Sequence, residues 1–160
     1  MVKMELYVDT SVFGFLFEEE FIEKRRITEK FFKKVERGEI KVYISELVLL
    51  EIKRIPENGL KMAILELINR IEPEVLKFNQ EIETLALDII KMGGIPRKYI
   101  DDARHIAYAI FYEVDGIISW NMRHIVKLST RRVVNAICAL RGYKEIELLT
   151  PEEVIYESRI

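Results

Sequence analysis

Four side chains of this chain have the chemistry of a cation site: Asp9, Glu51, Asp102 and Asn121. Asp9 ends a short apolar run, Leu6-Tyr7-Val8. Asp102 opens a segment whose apolar residues Ala103, Ile106, Ala107, Ile110, Phe111 and Val114 recur at helical spacing. Asp115-Gly116 breaks that pattern, and Ile117-Ile118 then reads as a short buried strand closed by Ser119 and Asn121. Glu51 sits among Leu47, Val48, Leu49, Leu50, Ile52 and Ile55, where a carboxylate is costly to desolvate unless it is paired or holds a cation. In open parallel α/β sheets, ligands lie outside the carboxyl ends of the strands. A helix N-terminus such as that of Asp102 can face the same edge. Three carboxylates and an amide converging there would repel one another without a cation. Hard oxygen donors lacking His and Cys select Mg²⁺ or Mn²⁺, ions that work mostly on phosphate substrates.

Each residue also has a plainer reading. Asp9, followed by Thr10 and Ser11, can start a helix. Glu51 can pair with Lys53, Arg54 or a cation on another helix. Either Asp101 or Asp102 can cap the helix they open, and Asn121 can be a turn residue. His105 lies one turn after Asp102, near the buried face, and reads as a hydrogen-bonded core residue rather than a ligand. His124 reads as a local packing or capping residue. With no second His at ligand spacing, a His-based zinc site is not expected.

The elements that must position these groups alternate. Lys41 to Ile44 reads as a second strand, with Ser45 capping a helix from Glu46 to about Arg54. Before it, Phe13 to Ile22 reads as a loop or helix start over the core. Thr28 reads as the N-cap of a helix through Phe31, Phe32 and Val35 that stops at Gly38. Pro56 and Asn58-Gly59 mark a turn before an amphipathic helix carrying Leu60, Ala63, Ile64, Leu67, Ile68 and Ile71. A strand at Val75 to Phe78 precedes a helix capped by Asn79 and ended by Gly93-Gly94-Ile95-Pro96. Thr130 to Leu140 is helical, Ile146 to Leu149 a last strand, and Thr150-Pro151-Glu152-Glu153 a capping box. Short apolar strands alternating with helices predict one α/β domain over residues 1–160, a three-layer α/β/α arrangement with a mainly parallel sheet.

Composition sets outer bounds. The 160 residues suit one core. No apolar run approaches the ~20 residues that span a bilayer. The first residues lead straight into a strand, so no signal peptide is expected. The lone Cys138 cannot form an internal disulfide, and a cytoplasmic setting follows as the default. A net charge of −2 does not announce a nucleic-acid binder, although a site can be acidic at a metal and basic at its rim.

The ordered motifs resemble PIN domains, in particular the VapC-like single-domain ribonucleases. Leu6-Tyr7-Val8-Asp9-Thr10-Ser11 matches the family's first strand and its Asp-Thr-Ser motif, and Ser45 with Glu51 matches the residues around a later helix. Asp102-Ala103-Arg104-His105-Ile106-Ala107, Ser119-Trp120-Asn121-Met122-Arg123-His124, Gly142-Tyr143 and Thr150-Pro151-Glu152-Glu153 resemble segments of one VapC-like branch. The resemblance implies a Rossmann-like fold and metal-dependent hydrolysis of single-stranded RNA. It assigns Asp9, Glu51 and Asp102 to the acidic cluster, with Thr10, Ser11 and Ser119 supporting it. In that setting Asp9 and Asp102 hold Mg²⁺ or Mn²⁺, Glu51 completes the shell or orients the attacking water, and Asn121 positions water or metal. Arg97, Lys98, Arg104 and Arg123 are the rim cations for phosphate. A small antitoxin protein and a homodimer are further expectations of the family. Many PIN domains carry Asp where this chain has Asn121, which opens a one-metal mechanism or low activity. It also keeps open a second class, a non-catalytic PIN module that binds RNA or a protein. A haloacid-dehalogenase-like phosphatase is disfavoured, because that chemistry wants an Asp where Ser11 stands.

Overall fold

A computed structural model describes residues 3–156. Its centre is a five-stranded parallel sheet in the order β3-β2-β1-β4-β5. The strands are β1 (Met4–Val8), β2 (Ile40–Ser45), β3 (Glu74–Leu76), β4 (Gly116–Ile118) and β5 (Glu147–Leu149). Parallel neighbours need long crossovers, and helices supply them. α1 (Thr10–Phe15) and α2 (Ile22–Glu36) join β1 to β2, and α3 (Glu46–Lys53) and α4 (Asn58–Ile71) join β2 to β3. α5 (Gln80–Lys91) and α6 (Ile100–Phe111) return the chain to β4, α7 (Leu128–Arg141) leads to β5, and α8 (Pro151–Ile155) follows. Right-handed crossovers put α2 on one face of the sheet and α5, α6 and α7 on the other. The packing of α2 on α8, and of α5 on both α6 and α7, fits that division. This is the expected three-layer α/β/α architecture. Among the described residues, no helix is long and apolar enough to cross a membrane.

The sheet centre is dry on both faces. Leu6, Tyr7 and Val8 in β1, Ile44 in β2 and Ile117 and Ile118 in β4 are all buried, which is why these strands read as apolar runs rather than alternations. Strand order reverses between β1 and β4. A crevice therefore opens beyond their carboxyl ends, where Asp9 and Ser119 stand. β3 and β5, of three residues each, are the sheet's two edges.

Expectations about helix starts fail at Thr28 and at Asn58-Gly59. Thr28 lies inside α2, which begins at Ile22 with no side-chain cap. The buried Thr28 hydroxyl donates to the Lys24 carbonyl one turn earlier at 2.6 Å and accepts the Trp120 indole N–H at 2.8 Å. A threonine satisfied in this way can sit mid-helix. Likewise Asn58-Gly59 is the first turn of α4 rather than a separate turn, because the Glu57 carboxylate takes the N–H groups of Gly59 and Leu60, each at 2.7 Å. The caps at Ser45 and Asn79 and the capping box at Thr150 form as expected.

Gly116 is needed for close approach. A Cβ there would lie 2.8 Å from the Glu147 backbone oxygen of the neighbouring strand. Gly116→Ala should force β4 and β5 apart and destabilise the protein by about 1–3 kcal/mol, read as a lowered urea midpoint. An unchanged midpoint would mean that the strands adjust freely.

Candidate active site

Asp9 is the first residue after β1 and the N-cap of α1, which is the plainer of its two readings. It is only 4% exposed. Oδ1 accepts the Ser11 N–H at 3.1 Å and the Ser11 hydroxyl at 2.6 Å, and Oδ2 accepts the Ser119 hydroxyl at 2.9 Å. Those hydroxyls in turn accept backbone N–H groups from the chain leaving β4. Ser11 takes that of Trp120 at 3.0 Å and Ser119 that of Asn121 at 2.9 Å. The Asp-Thr-Ser turn and the Ser-Trp-Asn turn are thus sewn together across the crevice. Burial raises the Asp9 carboxyl above its usual pKa, and the charge of Asp102 adds to this. The charge of His105 and the two serine hydroxyls oppose the rise without cancelling it.

Glu51 arrives from α3 and is half-buried. Its Oε1 accepts the Thr10 hydroxyl and meets His105 Nε2 at 2.7 Å. Of the expected partners, Lys53, Arg54 or a basic residue on another helix, the last is the one found: His105 on α6, 54 positions along the chain. His105 is 2% exposed, and its Nδ1 lies 2.7 Å from the Tyr7 hydroxyl, itself 2.7 Å from Ser45 Oγ. Burial alone would depress the imidazole, but the hydrogen bond and charge of Glu51, with Asp9 and Asp102, carry its pKa above the ordinary value. Burial alone would raise Glu51, and the His105 contact, with Thr10, brings it below its ordinary value. The two form an ion pair. With the ring protonated, Nδ1–H donates to the Tyr7 oxygen, and Tyr7 O–H donates to Ser45, whose oxygen also caps α3 through Val48 N–H. The protein interior therefore holds Glu51 from β1 and β2 through a buried histidine.

Asp102 lies in the first turn of α6, but it does not cap the helix and neither does Asp101. The helix starts at Ile100, after a 3-10 turn at Arg97–Tyr99, with Tyr99 at the cap. Its Oδ2 meets His124 Nδ1 at 2.9 Å, and the His124 ring packs on Tyr99 with centroids 4.1 Å apart. His124 is therefore a holder of Asp102, more than the local packing residue expected. Asn121 acts as a turn residue, its Oδ1 accepting the His124 N–H at 3.0 Å. Asp115, at the other end of β4, binds Glu5 N–H and Lys144, away from these groups.

The crevice thus brings together Asp9, Thr10, Ser11, Glu51, Asp102, Ser119 and Asn121. It adds Tyr7, His105 and His124, which sequence reasoning had not counted in the site. One signal was available for the first two. A tyrosine hydroxyl in a buried strand and a histidine on a buried helical face each need a partner. Of the rim cations, Arg97, Lys98 and Arg123 are exposed. Arg104 is committed, with two bonds of 2.9 Å to Glu83 and one of 2.8 Å to Asp101.

The donors about the crevice are carboxylate and hydroxyl oxygens, a set suited to Mg²⁺ or Mn²⁺. Among the described residues, no three His, Cys, Asp or Glu side chains form a ready-made metal cage. Mg²⁺ does not require one, since it commonly keeps its waters and binds through one or two carboxylates plus substrate phosphate. The buried Asp9, its pKa raised and facing Asp102, is a carboxylate that a cation would relieve.

Trp120, the chain's one tryptophan, anchors the turn that carries Asn121. Thr28→Val should leave its buried indole N–H unpaired, lowering stability by about 1–3 kcal/mol and shifting the intrinsic fluorescence. Unchanged emission together with unchanged stability would show that the bond holds nothing. No family model matches the chain, and no curated protein matches it.

Proposed function

We propose that the protein is a divalent metal-dependent endoribonuclease of the PIN type that hydrolyses single-stranded RNA. One observation carries this reading. Carboxylates from three separate elements, each braced by its own hydroxyl or imidazole, lie about the strand-order reversal of a parallel sheet, near enough for Asp9, Glu51 and Asp102 all to act on the charge of His105. Asp9 and Asp102 would hold Mg²⁺ or Mn²⁺, which when bound supplies polarisation of a phosphoryl oxygen and of a water.

The chain's own residues do the rest. Ser11 and Ser119 fix both oxygens of Asp9, and His124 fixes one oxygen of Asp102, leaving Oδ1 of Asp102 without a hydrogen-bond partner among the described residues. Protonated His105 keeps Glu51 ionised and engages Oε1, which leaves Oε2 to accept a proton from a water aligned with the phosphorus. The water oxygen bonds to phosphorus as the ester P–O bond breaks, and the leaving ribose oxygen takes a proton from solvent. Exposed Arg97, Lys98 and Arg123 draw the strand in. The resemblance brings with it a toxin of the VapC type in the cytoplasm, silenced by a small antitoxin, and a homodimer. These belong to the proposal.

A second reading has an observation in its favour. The Asn121 carbonyl is engaged in its own turn, and no acidic residue replaces it. A weak or inactive PIN module that binds RNA or a protein partner would look like this.

Cleavage of a labelled single-stranded RNA in Mn²⁺, Mg²⁺ and EDTA separates the two. The nuclease should cut with either metal and stop in EDTA. It should also gain about 2.7 kcal/mol of stability at a Mn²⁺ concentration a hundred times the Kd. Cleavage that persists in EDTA would sink the metal assignment. Absence of both cutting and Mn²⁺ stabilisation would leave the binding module.

A further inference from the structure

We infer that the groove between α2 and α8 holds the phosphate backbone of the single-stranded RNA that flanks the segment cut at the acidic site. The inference rests on the proposed ribonuclease reading and adds to it where the strand lies. It starts from charge. From Glu23 to Arg37, α2 and its C-cap carry seven Lys or Arg against three Glu, in a chain whose net charge is −2.

The acids on this helix do not neutralise the groove. Glu29 pairs with Arg25 at 3.6 Å, and Glu36 pairs with Arg70 of α4 at 3.0 Å. Lys30, Lys33, Lys34 and Arg37 have no ion-pair partner among the described residues. Together with Ile155 and Tyr156 they line a cavity of about 370 Å³. Four cations at i, i+3, i+4 and i+7 make a single positive stripe along the helix. Tyr156 is 67% exposed beside them. A stripe of cations flanked by an exposed aromatic ring is the pattern by which proteins hold single strands without reading sequence. Helix-dipole complementarity accounts for cations in the last turn, but not for a surplus that begins at Lys30.

The groove also has the right direction. α2 runs antiparallel to the strands. Its first residues adjoin Trp120, with Lys24 Nζ 5.2 Å from that ring, and its last lead into β2 at the sheet's opposite edge. Nearer the acidic site a second cavity, about 580 Å³, lies between α2 and the start of α8. Glu20, Glu23 and Glu152 stand on its walls, so phosphate contact begins below them, at Lys30.

The test uses the whole protein and two labelled single-stranded RNAs, of about 4 and about 16 nucleotides. Binding is followed by anisotropy in EDTA over a range of salt concentrations. In one variant Lys30→Gln, Lys33→Gln, Lys34→Gln and Arg37→Gln are combined. A control variant neutralises Lys53, Lys77, Lys91 and Arg132 on other elements. The groove variant should lose at least about tenfold in affinity for the longer RNA, and its log–log salt slope should flatten by about 3. The control should lose far less. Tyr156→Ala should weaken longer-RNA binding at least about fivefold. Equal losses in groove and control variants would overturn the inference, as would displacement of the RNA by poly-glutamate of matched charge as readily as by unlabelled RNA. The latter result would mark an acidic protein as the occupant.

Mn²⁺-dependent cleavage of the shorter RNA keeps the two readings apart. Metal-dependent cutting with groove-independent binding of the longer RNA would overturn the groove alone. Groove-dependent binding with no metal-dependent cutting would support the groove and overturn the nuclease.

Discussion

Asp102→Asn should reduce metal-dependent RNA cleavage about a thousandfold, the scale of several kcal/mol of lost metal-centred stabilisation, and leave the fold intact. Asp102 is partly exposed in a helical first turn, and among the described residues its one side-chain hydrogen-bond partner is His124. An amide oxygen can still accept from that ring. The loss would therefore be one of charge at the metal. Asp9→Asn should lose activity to a similar degree with a different signature. Burial and Asp102 already push the Asp9 carboxyl up, so removing this buried charge should leave the metal-free protein as stable as wild type or more so. Stabilisation by Mn²⁺ should vanish in both variants. Matched melting curves with and without Mn²⁺, run beside the cleavage assay, check both statements. Wild-type cleavage rates in either variant would remove these carboxylates from the chemistry.

His105→Leu should destabilise the metal-free protein by about 2–4 kcal/mol, since it strips one partner from a largely buried ion pair. The retained water access of Glu51, 27% exposed at its side chain, keeps the effect from being larger. The difference between wild type and variant should depend on pH in a definite way. The folded pKa of His105 is raised above 6.5, so its contribution is fully present below 6.5 and is lost as pH rises through the raised value. The folded pKa of Glu51 is lowered below 4.5, so its contribution is present above 4.5 and is lost as pH falls through the lowered value. The gap should be widest between 4.5 and 6.5 and narrow on both sides. Urea midpoints of both proteins, taken from below pH 4.5 to above pH 6.5, test it. A gap independent of pH would mean that packing of the ring, not its charge, holds Glu51.

The parts of this architecture that could be read from sequence were local. Leu6 to Val8 is an apolar run broken by Asp-Thr-Ser, and the pattern fixes both a buried strand and the polar end of it. Glu51 stood out because its neighbours are apolar. What escaped depended on residues distant in the chain. Nothing near Glu51 announces that its partner is His105, and nothing near Asp102 announces His124. Thr28 misled for a related reason. A threonine before an apolar helical stripe is a good cap by local rules, and only the Trp120 indole, 92 positions away, explains its place inside a helix. The helix at Asp102 starts two residues early because a 3-10 turn leads into it, a change that spacing alone does not register. The charge of α2 was present in the sequence but hidden in a whole-chain sum, where acids elsewhere cancel it.

The sheet's borders bear on how copies of the chain can meet. Each edge strand is only three residues long and open on its outer side, and β3 begins with charged Glu74 and is followed by Lys77. So little open ladder cannot template a continuous sheet across two molecules, and short charged borders are how proteins resist such growth. Self-association of this chain would therefore have to run through side chains on helices. The chain should therefore tolerate high concentration without β-aggregation.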